Sequence, residues 1–168
     1  MLGEINLRLS GRVRESTVDG PGLRYAVFTQ GCPHACPGCH NPHSWPLEGG
    51  EQISVAELLL DIRRDKLLRG VTLTGGEPFL QAGPLAVLAQ AARTCGLDVW
   101  AYTGYTWEQL RRAGDPDWPA LLLQTDVLVD GRYERERREY RLRFRGSANQ
   151  RLIDVGKSLD AGHVVLWE

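Results

Sequence analysis

Three cysteines, Cys32, Cys36 and Cys39, stand within eight residues of one another, and the segment that carries them cannot be a helix. On a continuous helix their spacing would put all three on one face. Pro33, Pro37 and Gly38 forbid that, since each internal proline costs about 3 kcal/mol. The stretch is therefore a loop that wraps something. It follows Arg24 to Thr29, a short β-rich run that ends at Gly31, so the loop is expected at the end of a strand. The first ten residues hold Glu4 and Arg8 and lack the apolar core of a signal peptide, and no stretch approaches 18 uncharged apolar residues. The expected location is the cytoplasm. In that reducing compartment clustered thiols serve as metal ligands rather than as disulfides.

Thiolates are soft ligands suited to iron–sulfur clusters or to zinc. Three of them on a four-iron cube leave one iron with an open position for a substrate or cofactor. A structural zinc site completed by His34, His40 or His43 is the alternative. Against it, zinc ligands usually come as two separated pairs, and the chain has no second CxxC or HxxxH. Cys95, beside Gly96 at the end of an apolar helical stretch, is expected to be a buried core thiol rather than a fourth ligand.

The rest of the chain alternates. Ser54 to Arg69 reads as a helix opened by a capping box of Ser54 and Glu57 and stopped by Gly70. Val71 to Thr74 is a strand, Pro84 to Gly96 a helix, and Leu97 to Thr103 a strand. Thr106 with Gln109 caps a further helix that Gly114 ends, and Asp126 to Asp130 is again a strand. Arg151 to Val155 and Val164 to Trp167 both look like strands, yet the eight residues between them are too few for a parallel crossover, so the pair is antiparallel or one strand does not form. Strand–helix alternation predicts an α/β fold with a largely parallel sheet, and 168 residues predict a single domain over 1–168. About five or six mostly parallel strands fall short of an eightfold barrel and leave an open sheet or a partial, open β/α barrel, with chemistry at the carboxyl ends of its strands.

One such end is Thr74-Gly-Gly-Glu-Pro78, where two glycines let main-chain groups approach a ligand with no Cβ in the way. A tight strand-to-helix turn would use the same residues. Together with the cysteine loop one strand earlier, the pattern resembles the radical S-adenosylmethionine superfamily. More closely, Val18-Asp-Gly-Pro-Gly-Leu-Arg24, Phe28-Thr-Gln-Gly-Cys-Pro-His-Ala-Cys-Pro-Gly-Cys-His-Asn-Pro42 and Leu142-Arg-Phe-Arg-Gly-Ser-Ala-Asn-Gln-Arg151 resemble the activating proteins of anaerobic ribonucleoside-triphosphate reductases. The resemblance runs from about Arg12 to about Asp154.

That resemblance implies a 4Fe-4S cluster held by Cys32, Cys36 and Cys39, with the fourth iron chelated by S-adenosyl-L-methionine. Gly38, Cys39 and His40 would border the adenine, and Gly75 and Gly76, supported by Glu77, would receive the methionine amino group. Thr103, Asp130 and Arg132 would reach the cofactor from later strand ends; a plain turn at Asp130-Gly131 with a solvated Arg132 is the alternative. Ser147, Asn149 and Gln150 belong to the family pattern without an assigned physical role. The implied activity is reductive cleavage of the cofactor to a 5′-deoxyadenosyl radical that abstracts hydrogen from a glycine of the reductase, with electrons from a flavodoxin- or ferredoxin-like donor. A formate-lyase-type partner, or a small-molecule radical enzyme such as a deazapurine synthase, are the alternatives.

The net charge of −1 gives no global reason to expect nucleic acid or a membrane as partner. Its distribution is uneven, however. Eight arginines against three glutamates lie between Arg132 and Arg151, so this segment is either a solvated, partly self-paired face or a docking surface, and the latter is expected to help seat the reductase.

Overall fold

The computed structural model describes all 168 residues. Seven strands form one sheet in the order β3-β1-β2-β4-β5-β6-β7. Four central strands, β2 (Arg24–Thr29), β4 (Gly70–Gly75), β5 (Asp98–Tyr102) and β6 (Val127–Asp130), run parallel. The other three add antiparallel at the two edges: β1 (Asn6–Ser16) and β3 (Glu51–Ser54) on one side, β7 (Arg151–Asp154) on the other. The fold is thus mixed α/β, with two strands, β1 and β3, beyond those read from the sequence.

The parity of the strands decides where the core lies. Val71 and Leu73 of β4, Val99 and Ala101 of β5 and Leu128 of β6 point to one face, and there they join Leu58 and Ile62, Leu85 and Leu88, Leu110 and Leu121 in one buried apolar cluster. Those partners come from α1 (Val55–Arg64), α2 (Ala82–Thr94), α3 (Trp107–Arg112) and α4 (Asp117–Leu123). With α5 (Val155–Ala161), which contributes Val155, the helices all pack on this face. The opposite face has only a small cluster around Trp100, Val127 and Val129, packed by Phe144 and Trp167 and covered by loops.

On that loop-covered face Arg24 is wholly buried. Its guanidinium donates to Thr72 Oγ1 (2.7 Å), to the carbonyls of Val71 and Pro21, and to Asp98, and lies over the ring of Trp100. A buried cation is tolerable only when its donors are met in this way.

Both expected capping boxes form: Ser54 Oγ accepts from the Glu57 amide at 3.1 Å, and Thr106 Oγ1 from that of Gln109 at 3.2 Å. The expected stops do not hold. The helix after Ser54 ends at Arg64, five residues early, because Asp65 turns to extended backbone and its carboxylate accepts from the Leu67 amide, leaving Gly70 to open β4. The helix after Thr106 likewise ends at Arg112, before Gly114, where Ala113 is extended. The final strand question resolves in favour of one: Arg151–Asp154 pairs antiparallel with β6, the intervening residues form α5, and Val164 to Trp167 keeps only a bridge from Leu166 to Ile153. No helix is long and apolar enough to cross a membrane.

Candidate active site

A cavity of about 250 Å³ opens where β2, β4, β5 and β6 end. The strands deliver Phe28, Thr74 and Tyr102 to its wall, Gly131 joins them just past the end of β6, and the loop after β2 closes it with Cys32, Cys36 and Cys39. All three thiols are half-buried and face the same space. No three His, Cys, Asp or Glu side chains converge closely enough to hold a single metal ion. Burial pushes the Cys32 and Cys36 thiols above their usual pKa, offset in part at Cys36 by the main-chain N–H of Tyr133. Ligation by iron must therefore displace their protons.

Cys95 is not a buried thiol. It caps the exposed C-terminus of α2, one residue past the helix and away from the cavity wall, because the apolar stripe of that helix ends at Ala92.

The glycine strip is set by its contacts. Gly75 has φ of +93°, and a Cβ there would fall 2.5 Å from the Thr29 amide nitrogen. A Cβ on Gly76 would fall on the Gly31 carbonyl, and the amides of Gly76 and Glu77 donate to the carbonyls of Thr29 and Gly31 at 2.8 Å. The two glycines therefore clamp the start of the cysteine loop while also lining the cavity, so both the tight-turn reading and the open-backbone reading hold.

Glu77 lies behind this strip, fully buried and off the cavity wall. One carboxylate oxygen accepts from Thr103 Oγ1 (2.8 Å) and the Phe79 amide (3.0 Å), the other from the Gly104 amide (2.8 Å), and it shares a 2.6 Å hydrogen bond with His34 Nε2. His34, itself buried and edge-on to Tyr105, belongs to the cysteine loop. A single carboxylate thus ties the cysteine loop to the ends of β4 and β5. His34 is a brace and not a zinc ligand.

Of the other expected residues, Cys39, His40, Gly75, Gly76, Thr103 and Arg132 line the cavity. Gly38 does not; its open side faces the guanidinium of Arg135. Asp130 does not either. Its oxygens are taken by the Trp107 amide and by Arg151, whose Nε and Nη2 donate at 3.0 and 2.6 Å, and Arg151 reaches on to Glu108. Arg132 is exposed at the rim and its guanidinium meets no acceptor within the chain.

Three residues without a role in the sequence reading now have one. Ser147 Oγ accepts from the Glu134 amide, Asn149 Nδ2 donates to the Arg132 carbonyl, and Gln150 Nε2 donates to that of Gly131 while its Oε1 accepts from Gly146 and Ser147. Together they hold the main chain of 131–134 against the cavity. Tyr102, Tyr133 and Asp19 also line it and went unnoticed in sequence. Tyr102 donates to the Phe144 carbonyl at 2.6 Å, and burial raises its pKa so that it stays protonated.

The thiol-lined cavity is a candidate iron–sulfur centre, and the family match agrees with it. The 4Fe-4S single cluster domain family matches residues 18–153. The anaerobic ribonucleoside-triphosphate reductase-activating protein of Vibrio cholerae is 38% identical over 141 residues, covering 79% of this chain and 88% of that one. Proteins of the same name from Escherichia coli K12 (33% identical, 79% and 89% covered) and from phage T4 (34% identical, 80% and 86% covered) are similar in the same way. Among solved structures, QueE from Escherichia coli superposes with a TM-score of 0.53 at 21% identity, covering 62% of this chain and 55% of that one, which supports the fold. The chain belongs to the family of anaerobic ribonucleoside-triphosphate reductase-activating proteins.

Proposed function

We propose that this chain is a radical S-adenosylmethionine activase that prepares a glycine of an anaerobic ribonucleoside-triphosphate reductase for radical chemistry. The observation that carries the reading is the meeting of Cys32, Cys36 and Cys39 with the Gly75–Gly76 strip in one cavity, in a chain of this family. When bound, the cluster supplies one electron that cleaves the cofactor's sulfur–C5′ bond, giving methionine and a 5′-deoxyadenosyl radical that takes a hydrogen atom from the glycine Cα.

The chain's residues bind and place. Three thiolates would hold the cluster, and the main chain at Cys39 and His40, which line the cavity as Gly38 does not, would border the adenine. The carbonyls of Gly75 and Gly76 would accept from the methionine amino group, with Glu77 holding their strip in place. Arg132, free of partners within the chain, would pair with the methionine carboxylate, where a guanidinium can bind both oxygens. Thr103 completes the wall, whereas Asp130, occupied by Arg151, acts by fixing β6. The cavity is open to one side, which lets a glycine-bearing loop come within roughly 3–3.5 Å of the reacting carbon. The whole chain works as one domain with its strands curved as a partial barrel, in the cytoplasm, fed by a flavodoxin- or ferredoxin-like protein.

Anaerobic reconstitution tests the proposal. The loaded protein should hold about four irons per chain and, reduced with dithionite, should release 5′-deoxyadenosine and methionine. Full iron content with neither product, in the presence of the reductase, would refute it.

A further inference from the structure

Between Arg132 and Arg145 the chain carries seven arginines, and a single ion pair, Arg137 to Glu134 at 3.6 Å, neutralises one of them. The nearby carboxylate of Glu139 accepts from the Arg141 amide and leaves the guanidinium free. Two others lie over aromatic rings, Arg138 over Tyr140 at 4.3 Å and Arg143 over Phe144 at 4.8 Å, which holds their charge in place without cancelling it. The exposed stretch is not a loose tail. A bridge between Arg138 and Ser147 closes it, the Ala148 amide donates to the Arg137 carbonyl at 2.8 Å, and the Tyr102 hydroxyl ties down Phe144.

Its place is as specific as its charge. Arg135 stands against Gly38, between Cys36 and Cys39, and the ring of the neighbouring Tyr133 lies 5.4 Å from that of His40 in the same loop. The positive surface therefore abuts the cysteine loop itself.

We propose that the segment from Arg135 to Arg145 is the landing surface for an acidic one-electron carrier protein. The inference rests on the activase reading above and assigns the reducing partner a place on it. Electron transfer between proteins falls steeply with distance, so a donor gains by seating over the loop that holds the cluster. Redox encounters use small interfaces and depend on charge steering for their rate. A braced patch with a net excess of positive charge suits them. In the step itself the donor loses one electron, the cluster gains it, and no bond is made or broken.

The test uses the loaded full-length protein, a reduced flavodoxin of net negative charge, and the variant Arg137→Gln/Arg138→Gln/Arg141→Gln, which touches three exposed side chains outside the cavity. Stopped-flow absorbance reads cluster reduction, a measurement that needs no cofactor cleavage. At low salt the variant should be reduced about tenfold more slowly than the wild type. The difference should shrink as salt rises, since exposed charges are screened over about 8–10 Å. Iron content and glycyl-radical yield under dithionite, which bypasses the carrier, should stay unchanged. Equal flavodoxin-driven rates in variant and wild type would overturn the proposal. A loss of radical yield under dithionite would overturn it in favour of a surface for the reductase. Failure of the wild type to cleave the cofactor would count against the activase reading alone, because cluster reduction is read separately.

Discussion

Removing the Glu77 carboxylate should loosen the site before it unfolds the protein. In Glu77→Gln the shape is kept but one oxygen becomes an NH2 group. If that group faces Gly104, the Gly104 amide loses its acceptor; if the side chain flips, the Phe79 amide does. Thr103 and His34 can change roles, as a hydroxyl and a ring nitrogen can, but a main-chain N–H cannot. One buried amide is orphaned either way, at about 1–3 kcal/mol. Glu77→Ala strands both main-chain amides at once, along with Thr103 and His34, and should cost about 2–6 kcal/mol, about 1–3 for each orphaned amide. Against a total stability of about 5–15 kcal/mol, the first variant folds and the second is crippled. Anaerobic urea unfolding of the cluster-free chain measures both. Equal losses in the two variants, or a loss below about 0.5 kcal/mol in Glu77→Gln, would mean that the carboxylate does not organise this corner as argued.

Cys32→Ala, Cys36→Ala or Cys39→Ala should each abolish cluster loading, while Cys95→Ala, at an exposed helix end, should keep full iron content and nearly full stability, as iron assay and thermal melting will show. Gly76→Ala would drive its methyl into the Gly31 carbonyl, so it should lower the melting temperature and weaken cofactor binding in equilibrium dialysis, more than Ala does at the open Gly114. Glu108 has its pKa lowered, first by its hydrogen bond to Arg151, so it adds stability above the unfolded carboxylate value of about 4.3 and loses it as pH falls through the folded one. Both partners are part-exposed, so the contribution is under about 1 kcal/mol; Glu108→Gln should lower the unfolding midpoint at pH 6–7, and the gap to wild type should close near pH 3.

Local rules made much of this structure legible, and long-range pairing hid the rest. The strand Arg24–Thr29 and the two capping boxes are written in adjacent residues, as is the cysteine loop with its prolines. In β1 the alternation of Leu7 and Leu9 with Arg8 and Ser10 is present, but Gly11 breaks the pattern where the pairing with β2 shifts register. The helix α4 is masked by Pro116 and Pro119 at its start. Cys95 misled because an apolar stripe gives a helix's direction but not where it outruns the sheet. At the site, the thiols and glycines could be read from spacing. The link from His34 to Glu77 spans 43 residues, and the hold of Asn149 on Arg132 spans 17, so neither leaves a local trace. Asp130 was placed correctly at a strand end, yet which neighbour would claim its oxygens depended on Arg151 arriving antiparallel beside it.

Because every helix packs on one side of the sheet, the two sides of each central strand lead different lives. Amides in β4 and β5 are backed by the buried residues Val71, Leu73, Val99 and Ala101 and should exchange with solvent deuterium only when the whole chain opens. The stretches on the other side, around 17–23 and 138–150, rest on the small Trp100 cluster and on a few hydrogen bonds, and should open alone at a smaller free-energy cost. Change in those stretches is thereby uncoupled from folding. A lineage can rewrite what this protein meets on its reactive side, loop by loop, while the helical side keeps the chain folded.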